Sequence, residues 1–164
     1  MVYWVTGLAG AGKTTVGVAL YERLKKSNPA TVLFDGDALR QAFDNDLGYS
    51  VEDRFKCAMR YSKLCNLLCQ QGITVVCCTI SMFDDVRKWN SDNIAEYLEV
   101  YVEVDYETLK KRNQKQLYSN NSNDVAGVNQ QVQLPKKPHV IINNNGEISI
   151  EKHVETILAK RNNL

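Results

Sequence analysis

An apolar run, Val2-Tyr3-Trp4-Val5, leads directly into Gly7-Leu8-Ala9-Gly10-Ala11-Gly12-Lys13-Thr14-Thr15, which fills every fixed position of the pattern G-x-x-x-x-G-K-[ST]. No other stretch constrains the fold as much, because this pattern works as a turn between a strand and a helix. Its glycines let the backbone curl until successive N–H groups converge on one point, and the helix that follows aims its positive end at the same place. The ligand suited to such a cradle is a phosphate chain. Lys13 adds a mobile positive charge and Thr14 a hydroxyl for Mg²⁺, so the loop is expected to hold MgATP through Gly7, Gly10, Ala11, Gly12, Lys13, Thr14 and Thr15. Glycine-rich turns also serve as plain connectors; here the strand before and the amphipathic stretch after supply the context for phosphate binding.

Four more apolar segments follow: 31–34, Ile73 to Cys78, Leu98 to Val104 and 139–142. Most lack strict alternation, as befits strands of a parallel sheet covered on both faces. Helical periodicity fits Lys13 to Lys26, Val51 to Gln71, Asp84 to Tyr97, Tyr106 to Asn113 and Ser149 to Lys160. Strands and helices thus alternate, which predicts right-handed crossovers and a doubly wound, three-layer α/β architecture around five parallel strands.

The 164 residues are enough for one domain and too few for a second of ordinary size. With 20 basic and 19 acidic residues, no global field marks a binder of nucleic acid polymers or of an acidic membrane. Small molecules are the expected partners. No apolar run approaches the roughly 20 residues that span a bilayer, and the start lacks a charged leader region, so a cytoplasmic location is expected. The five cysteines, Cys57, Cys65, Cys69, Cys77 and Cys78, are odd in number and lack C-x-x-C spacing, which predicts reduced, buried thiols. Cys65 and Cys69 stand one helical turn apart, but His139 and His153 are far off in sequence, and no zinc site is expected.

From Tyr118 to Pro138 the chain is rich in Asn, Gln, Ser and Lys and has little apolar periodicity. A loop of this length is a lid or a disordered excursion. A lid over about 115–138 is expected, since ligands of open α/β sheets sit beyond the carboxyl ends of the strands, where this connection arches.

Two carboxylates, Asp35 and Asp37, and a guanidinium, Arg40, follow the second strand. Facing the phosphate cradle, they suit deprotonation of a hydroxyl and clamping of an anionic acceptor, which implies phosphoryl transfer. The plainer alternative makes Asp37 a helix N-cap and Arg40 a solvated charge.

Several separate motifs now resemble the adenylylsulfate (APS) kinases: residues 7–15, Phe-Asp-Gly-Asp-Ala-Leu-Arg at 34–40, Asp-Leu-Gly-Tyr-Ser at 46–50 with Asp53-Arg54, Thr79-Ile80-Ser81, and 111–118. The resemblance covers nearly the whole chain. It implies a P-loop nucleoside-triphosphate hydrolase/kinase fold and MgATP-dependent phosphorylation of the ribose 3′-hydroxyl of adenosine 5′-phosphosulfate. It also implies Asp35 as base, Asp37 on the acceptor ribose, Arg40 and Arg54 on the anionic 5′ end, and Tyr49 stacked on the acceptor base. Ile80 and Ser81 fall beside the acceptor, with Thr14, Asp35 and Ser81 around the metal. Arg112 falls beside ATP, and Lys115 matches a lid lysine. Members of the family are commonly dimeric; Trp4 or Trp89, if exposed, would be interface candidates, although Trp89 suits a core better.

Departures from the family pattern bear on the acceptor. Cys57 stands where an asparagine is usual, Ser119-Asn120-Asn121 replaces a basic run, and Val125-Ala126-Gly127 replaces a Phe-Thr-Gly segment. That phenylalanine closes an aromatic sandwich on adenine, and a stacked base is worth about 1–3 kcal/mol. A relative in bacterial capsule synthesis phosphorylates cytidine diphosphoramidate on its 3′-hydroxyl. The resemblance therefore implies adenosine 5′-phosphosulfate with the cytidine acceptor as alternative. From another class, a catalytically silent nucleotide-binding module would show no ADP release, and Asp35→Asn would leave that unchanged.

Overall fold

In the computed structural model, residues 1–112 and 132–162 are described. Strand β1 (Val2–Thr6) runs through the phosphate loop into α1 (Lys13–Lys25); β2 (Thr31–Asp35), α2 (Gly36–Ala42) and α3 (Val51–Gln70) follow. Next come β3 (Thr74–Thr79), α4 (Asp84–Asn93), β4 (Tyr97–Glu103), α5 (Tyr106–Arg112), β5 (Val140–Asn143) and α6 (Ile150–Arg161). All five strands are parallel, in the order β2-β3-β1-β4-β5. The three-layer α/β expectation is met.

Side-chain alternation sorts the apolar runs onto two faces. Tyr3 and Val5 of β1 join Val16 and Leu20 of α1 and Ile157 of α6 in one buried cluster, while Val2 and Trp4 join Cys57, Tyr61 and Cys65 of α3 and Val86 of α4 in the other. Both faces are covered, so β1 is apolar throughout. Its Thr6 lies level with Thr79 of β3 and Tyr101 of β4, and the phosphate loop therefore leaves the sheet at its centre.

Helix α1 lies unusually close to the sheet at Gly17, where a Cβ would overlap the Cys78 sulfur. The Cys78 thiol is buried there and donates to the Lys13 carbonyl at 3.5 Å. Burial pushes its pKa up to about 12, with Asp35 adding to the rise and Lys13 opposing it. It is an inert packing group rather than a nucleophile.

Several expectations need correction. The helix expected to reach Tyr97 stops at Asn93, because Ile94 is extended and Tyr97 pairs with Val2 at the start of β4. Strand register here outweighs helical periodicity. A seven-residue helix, α2, lay hidden after β2; it buries only Leu39, too little for a periodic signal. Its N-cap is Asp35, whose carboxylate accepts the N–H groups of Asp37 and Ala38, so Asp37 is not the cap. Trp4 is fully buried and offers nothing to an interface, and Trp89 is half-buried against the second cluster. All five cysteines are free thiols, with Cys69 only half-buried. Most of the expected lid, with Lys115 and Val125, lies outside the described residues. Among those described, no helix is long and apolar enough to cross a membrane.

Candidate active site

The phosphate loop turns twice through left-handed backbone, at Gly10 (φ 78°) and Gly12 (φ 93°). Gly12 is the N-cap of α1 and contributes no side-chain bond, which leaves the first N–H groups of the helix without a local acceptor. Gly7 and Ala11 are buried; Thr14 and Thr15 are exposed on the first turn. Lys13 Nζ reaches back across the loop to the Leu8 carbonyl at 2.9 Å.

One residue unanticipated from sequence shapes this loop. Asn144, just beyond β5 and buried, donates from Nδ2 to the Ala11 carbonyl at 2.8 Å, while its own N–H bonds the Glu103 carbonyl at 2.9 Å. A Cβ on Gly12 would overlap that amide nitrogen. Arg112, at the end of α5, donates to the Asn144 carbonyl at 2.6 Å and the Gly10 carbonyl at 3.4 Å. The arginine expected beside ATP thus lies against the loop. Asn144 went unseen because Asn143-Asn144-Asn145-Gly146 reads as an ordinary polar turn.

Across the cleft, the end of β2 meets the start of α1. Thr14 Oγ1 donates to Asp35 Oδ2 at 2.7 Å, leaving Oδ1 to cap α2. One carboxylate therefore fixes the geometry of both loops. Asp37 is exposed in the first turn of α2, and its charge is favourable at that helix end.

Arg40 and Arg54 converge on a single ring. Their guanidinium carbons lie 4.5 and 5.2 Å from the centre of Tyr49, which is 52% exposed. Arg40 Nη1 also donates to the Leu47 and Gly48 carbonyls at 2.8 and 3.0 Å, and Arg54 Nε to the Tyr49 carbonyl at 3.0 Å. Ser50 caps α3 through the Asp53 N–H, and the Asp53 carboxylate returns to the Gly48 N–H, both at 3.1 Å. Farther along, Arg60 grips Asp46 with two 2.9 Å bonds that hold its carboxyl below the usual range.

Ser81 follows β3 and Ile80, fully buried, with its Oγ lacking a hydrogen-bond partner among the described residues. An unpaired buried hydroxyl is costly unless a ligand engages it. Among the described residues there is no group of three or more His, Cys, Asp or Glu side chains fit to hold a metal on their own. Thr14, Asp35 and Ser81 offer hard oxygen donors, which suits Mg²⁺, an ion that keeps phosphate and water oxygens in its shell.

A parallel α/β sheet with a G-x-x-x-x-G-K-[ST] loop at its central strand, opposite paired carboxylates and arginines, defines a P-loop kinase. The family model for adenylylsulphate kinase matches residues 1–143, and the chain belongs to that family. It is an ATP-dependent phosphotransferase. A cytidine diphosphoramidate kinase of Campylobacter jejuni subsp. jejuni serotype O:2 is 37% identical over 163 residues, covering 97% of this chain and 95% of that one. An adenylyl-sulfate kinase of Staphylococcus epidermidis is 34% identical, covering 96% and 81%. Among solved structures, the Mycobacterium tuberculosis APS kinase in complex with AMPPNP and APS is similar with a TM-score of 0.83, 27% identity and coverage of 97% and 95%.

Proposed function

We propose that the protein transfers the γ-phosphate of ATP to the ribose 3′-hydroxyl of a nucleotide carrying a 5′ mixed anhydride, and that this acceptor is cytidine diphosphoramidate. The 2.7 Å bond from Thr14 to Asp35 carries the reaction type, because it sets a carboxylate from the acceptor loop against the phosphate cradle. Asp35 receives or orients the hydroxyl proton as the new O–P bond forms and the bond to the ADP oxygen breaks. Lys13 leaves the Leu8 carbonyl for the transferring phosphate, and Arg112 neutralises charge beside it. When bound, Mg²⁺ neutralises the β- and γ-phosphates, with Thr14, Asp35 and Ser81 as its candidate protein ligands. In a loose transition state, positioning and electrostatics outweigh base strength.

Arg40 and Arg54 hold the anionic 5′ end, Asp37 the ribose, and Tyr49 swings from its arginines onto the base. Ile80 lines the acceptor side. Lys115 and the segment to Pro138 complete the site and exclude water, in a single domain spanning the chain. We place the reaction in the cytosol, the compartment that supplies ATP, with a homodimer as the assembly, which light scattering tests.

For the base, the Campylobacter relative supports cytidine, since it is both more similar and closer in length than the Staphylococcus enzyme. Val125 in place of an aromatic also favours a smaller base. This would place the enzyme in capsule synthesis. Adenosine 5′-phosphosulfate is the second reading, with a role in sulfate assimilation, favoured by the likeness to the APS-bound Mycobacterium structure. Steady-state ADP release with MgATP and each acceptor decides between them. A higher kcat/KM for cytidine diphosphoramidate is expected, and inactivity toward both would overturn both.

A further inference from the structure

Helix α4 begins without a cap of its own. Its N-cap residue is Phe83, which has no side-chain acceptor to offer. The missing acceptor comes from 49 residues away: Gln133 Oε1 accepts the Asp84 N–H at 2.7 Å. The backbone of Gln133 is engaged on both sides as well. Its N–H donates to the Met82 carbonyl at 3.0 Å, and its carbonyl accepts from Arg87 Nη2 at 2.7 Å. Arg87 is itself buried, paired with Asp84 and lying 3.6 Å from Glu99 of β4. Three bonds from one residue therefore span Met82, Asp84 and Arg87.

This brace lies next to the chemistry. Met82 is buried beside Thr6, the last residue of β1, whose hydroxyl points to the Met82 sulfur at 4.0 Å. Ser81 is the preceding residue, its hydroxyl without a hydrogen-bond partner among the described residues. Whatever holds the backbone of residues 82–84 also sets where Ser81 lies relative to the start of the phosphate loop.

We infer that Gln133 is a positioning residue of the kinase reaction, a remote cap of α4 that fixes the turn carrying Ser81 against the phosphate cradle. This rests on the proposed place of Ser81 in the site. The side-chain bond is separable from the two backbone bonds: Gln133→Leu removes the acceptor and keeps the backbone, whereas Gln133→Glu keeps an acceptor and adds a charge favourable at a helix N-terminus.

The test is ADP release with MgATP and whichever of the two acceptors turns over. Gln133→Leu is expected to lower kcat about 5- to 10-fold, with KM for ATP within about 2-fold of wild type, and Gln133→Glu to recover most of kcat. A merely structural role would lower the melting temperature of Gln133→Leu and leave kcat intact well below it. Wild-type kcat in Gln133→Leu, or a Gln133→Glu variant as impaired as Gln133→Leu, would overturn the inference. Ser81→Ala separates the two layers: full activity there removes Ser81 from the site, whereas an impaired Ser81→Ala beside an unimpaired Gln133→Leu removes only the brace. If neither acceptor turns over, amide exchange still decides the contact, since Asp84 must exchange faster in Gln133→Leu; unchanged exchange overturns it.

Discussion

The Asn144 side chain occupies the space into which any side chain on Gly12 would project, and from there it donates a 2.8 Å hydrogen bond to the Ala11 carbonyl. The glycine is required twice over, by its left-handed backbone and by this neighbour. Replacing Asn144 with Ala leaves a buried carbonyl unpaired and loosens the loop, which is worth about 1–2 kcal/mol. Asn144→Ala is expected to raise KM for ATP about 5- to 30-fold with KM for the acceptor nearly unchanged. Isothermal titration with a non-hydrolysable ATP analogue checks it; unaltered affinity would show that the loop holds its shape without the brace.

Charge neutralisation and acceptor placement make different demands. On the proposed mechanism Lys13 meets the transferring phosphate itself, whereas Asp37 orients the acceptor ribose, so Lys13→Ala should cost more rate than Asp37→Asn. A loss of about 10²–10³ in kcat is expected for Lys13→Ala, as for removal of other transition-state donors. Single-turnover rates at saturating substrates give the comparison. The reverse order would mean that acceptor placement limits the reaction.

Much of this site is legible in sequence because its chemistry is local. Gly7 to Thr15 forms one continuous loop after one strand, and Asp35, Asp37 and Arg40 lie within six residues of each other at the end of β2. Spacing alone places such groups. Asn144 and Gln133 escaped notice because their partners lie at Ala11 and Met82, and long-range pairing leaves no periodic trace. The fold was readable for a similar reason: each strand is a largely apolar run, whereas α2 follows β2 directly, with Gly36 as its first residue and Leu39 as its single buried side chain. The plainer alternative, with Asp37 as the cap, lay two residues off: Asp35 holds that place, before a glycine that itself begins the helix.

Close approach of α1 to the sheet makes Gly17 a packing position. Gly17→Ala drives a methyl into the Cys78 sulfur and should destabilise the fold by about 1–3 kcal/mol, read as a lower midpoint in urea. Combining it with Cys78→Ala restores volume. The double variant should recover part of the loss, and strict additivity of the two changes would show that the residues do not compete for the same space.

Glu99 gives stability a pH dependence of definite sign. Burial raises its pKa from 4.5 to about 7, with Arg87 opposing and Asp84 reinforcing the shift. The folded state therefore binds this proton more tightly than the unfolded chain. The contribution is complete below about pH 4.5 and is lost as pH rises through 7, on the order of 3 kcal/mol over the window. Glu99→Gln should lie above wild type at pH 8 and show a flatter profile between pH 5 and 8. Parallel profiles from thermal melts would remove Glu99 as the cause.

Phosphorus NMR of the product formed from MgATP and cytidine diphosphoramidate tests the central claim most directly. One new monoester on the ribose 3′-oxygen, one ADP per acceptor consumed and an intact 5′ diphosphoramidate are expected. Inorganic phosphate with unchanged acceptor, or phosphorylation at any other position, would contradict the account.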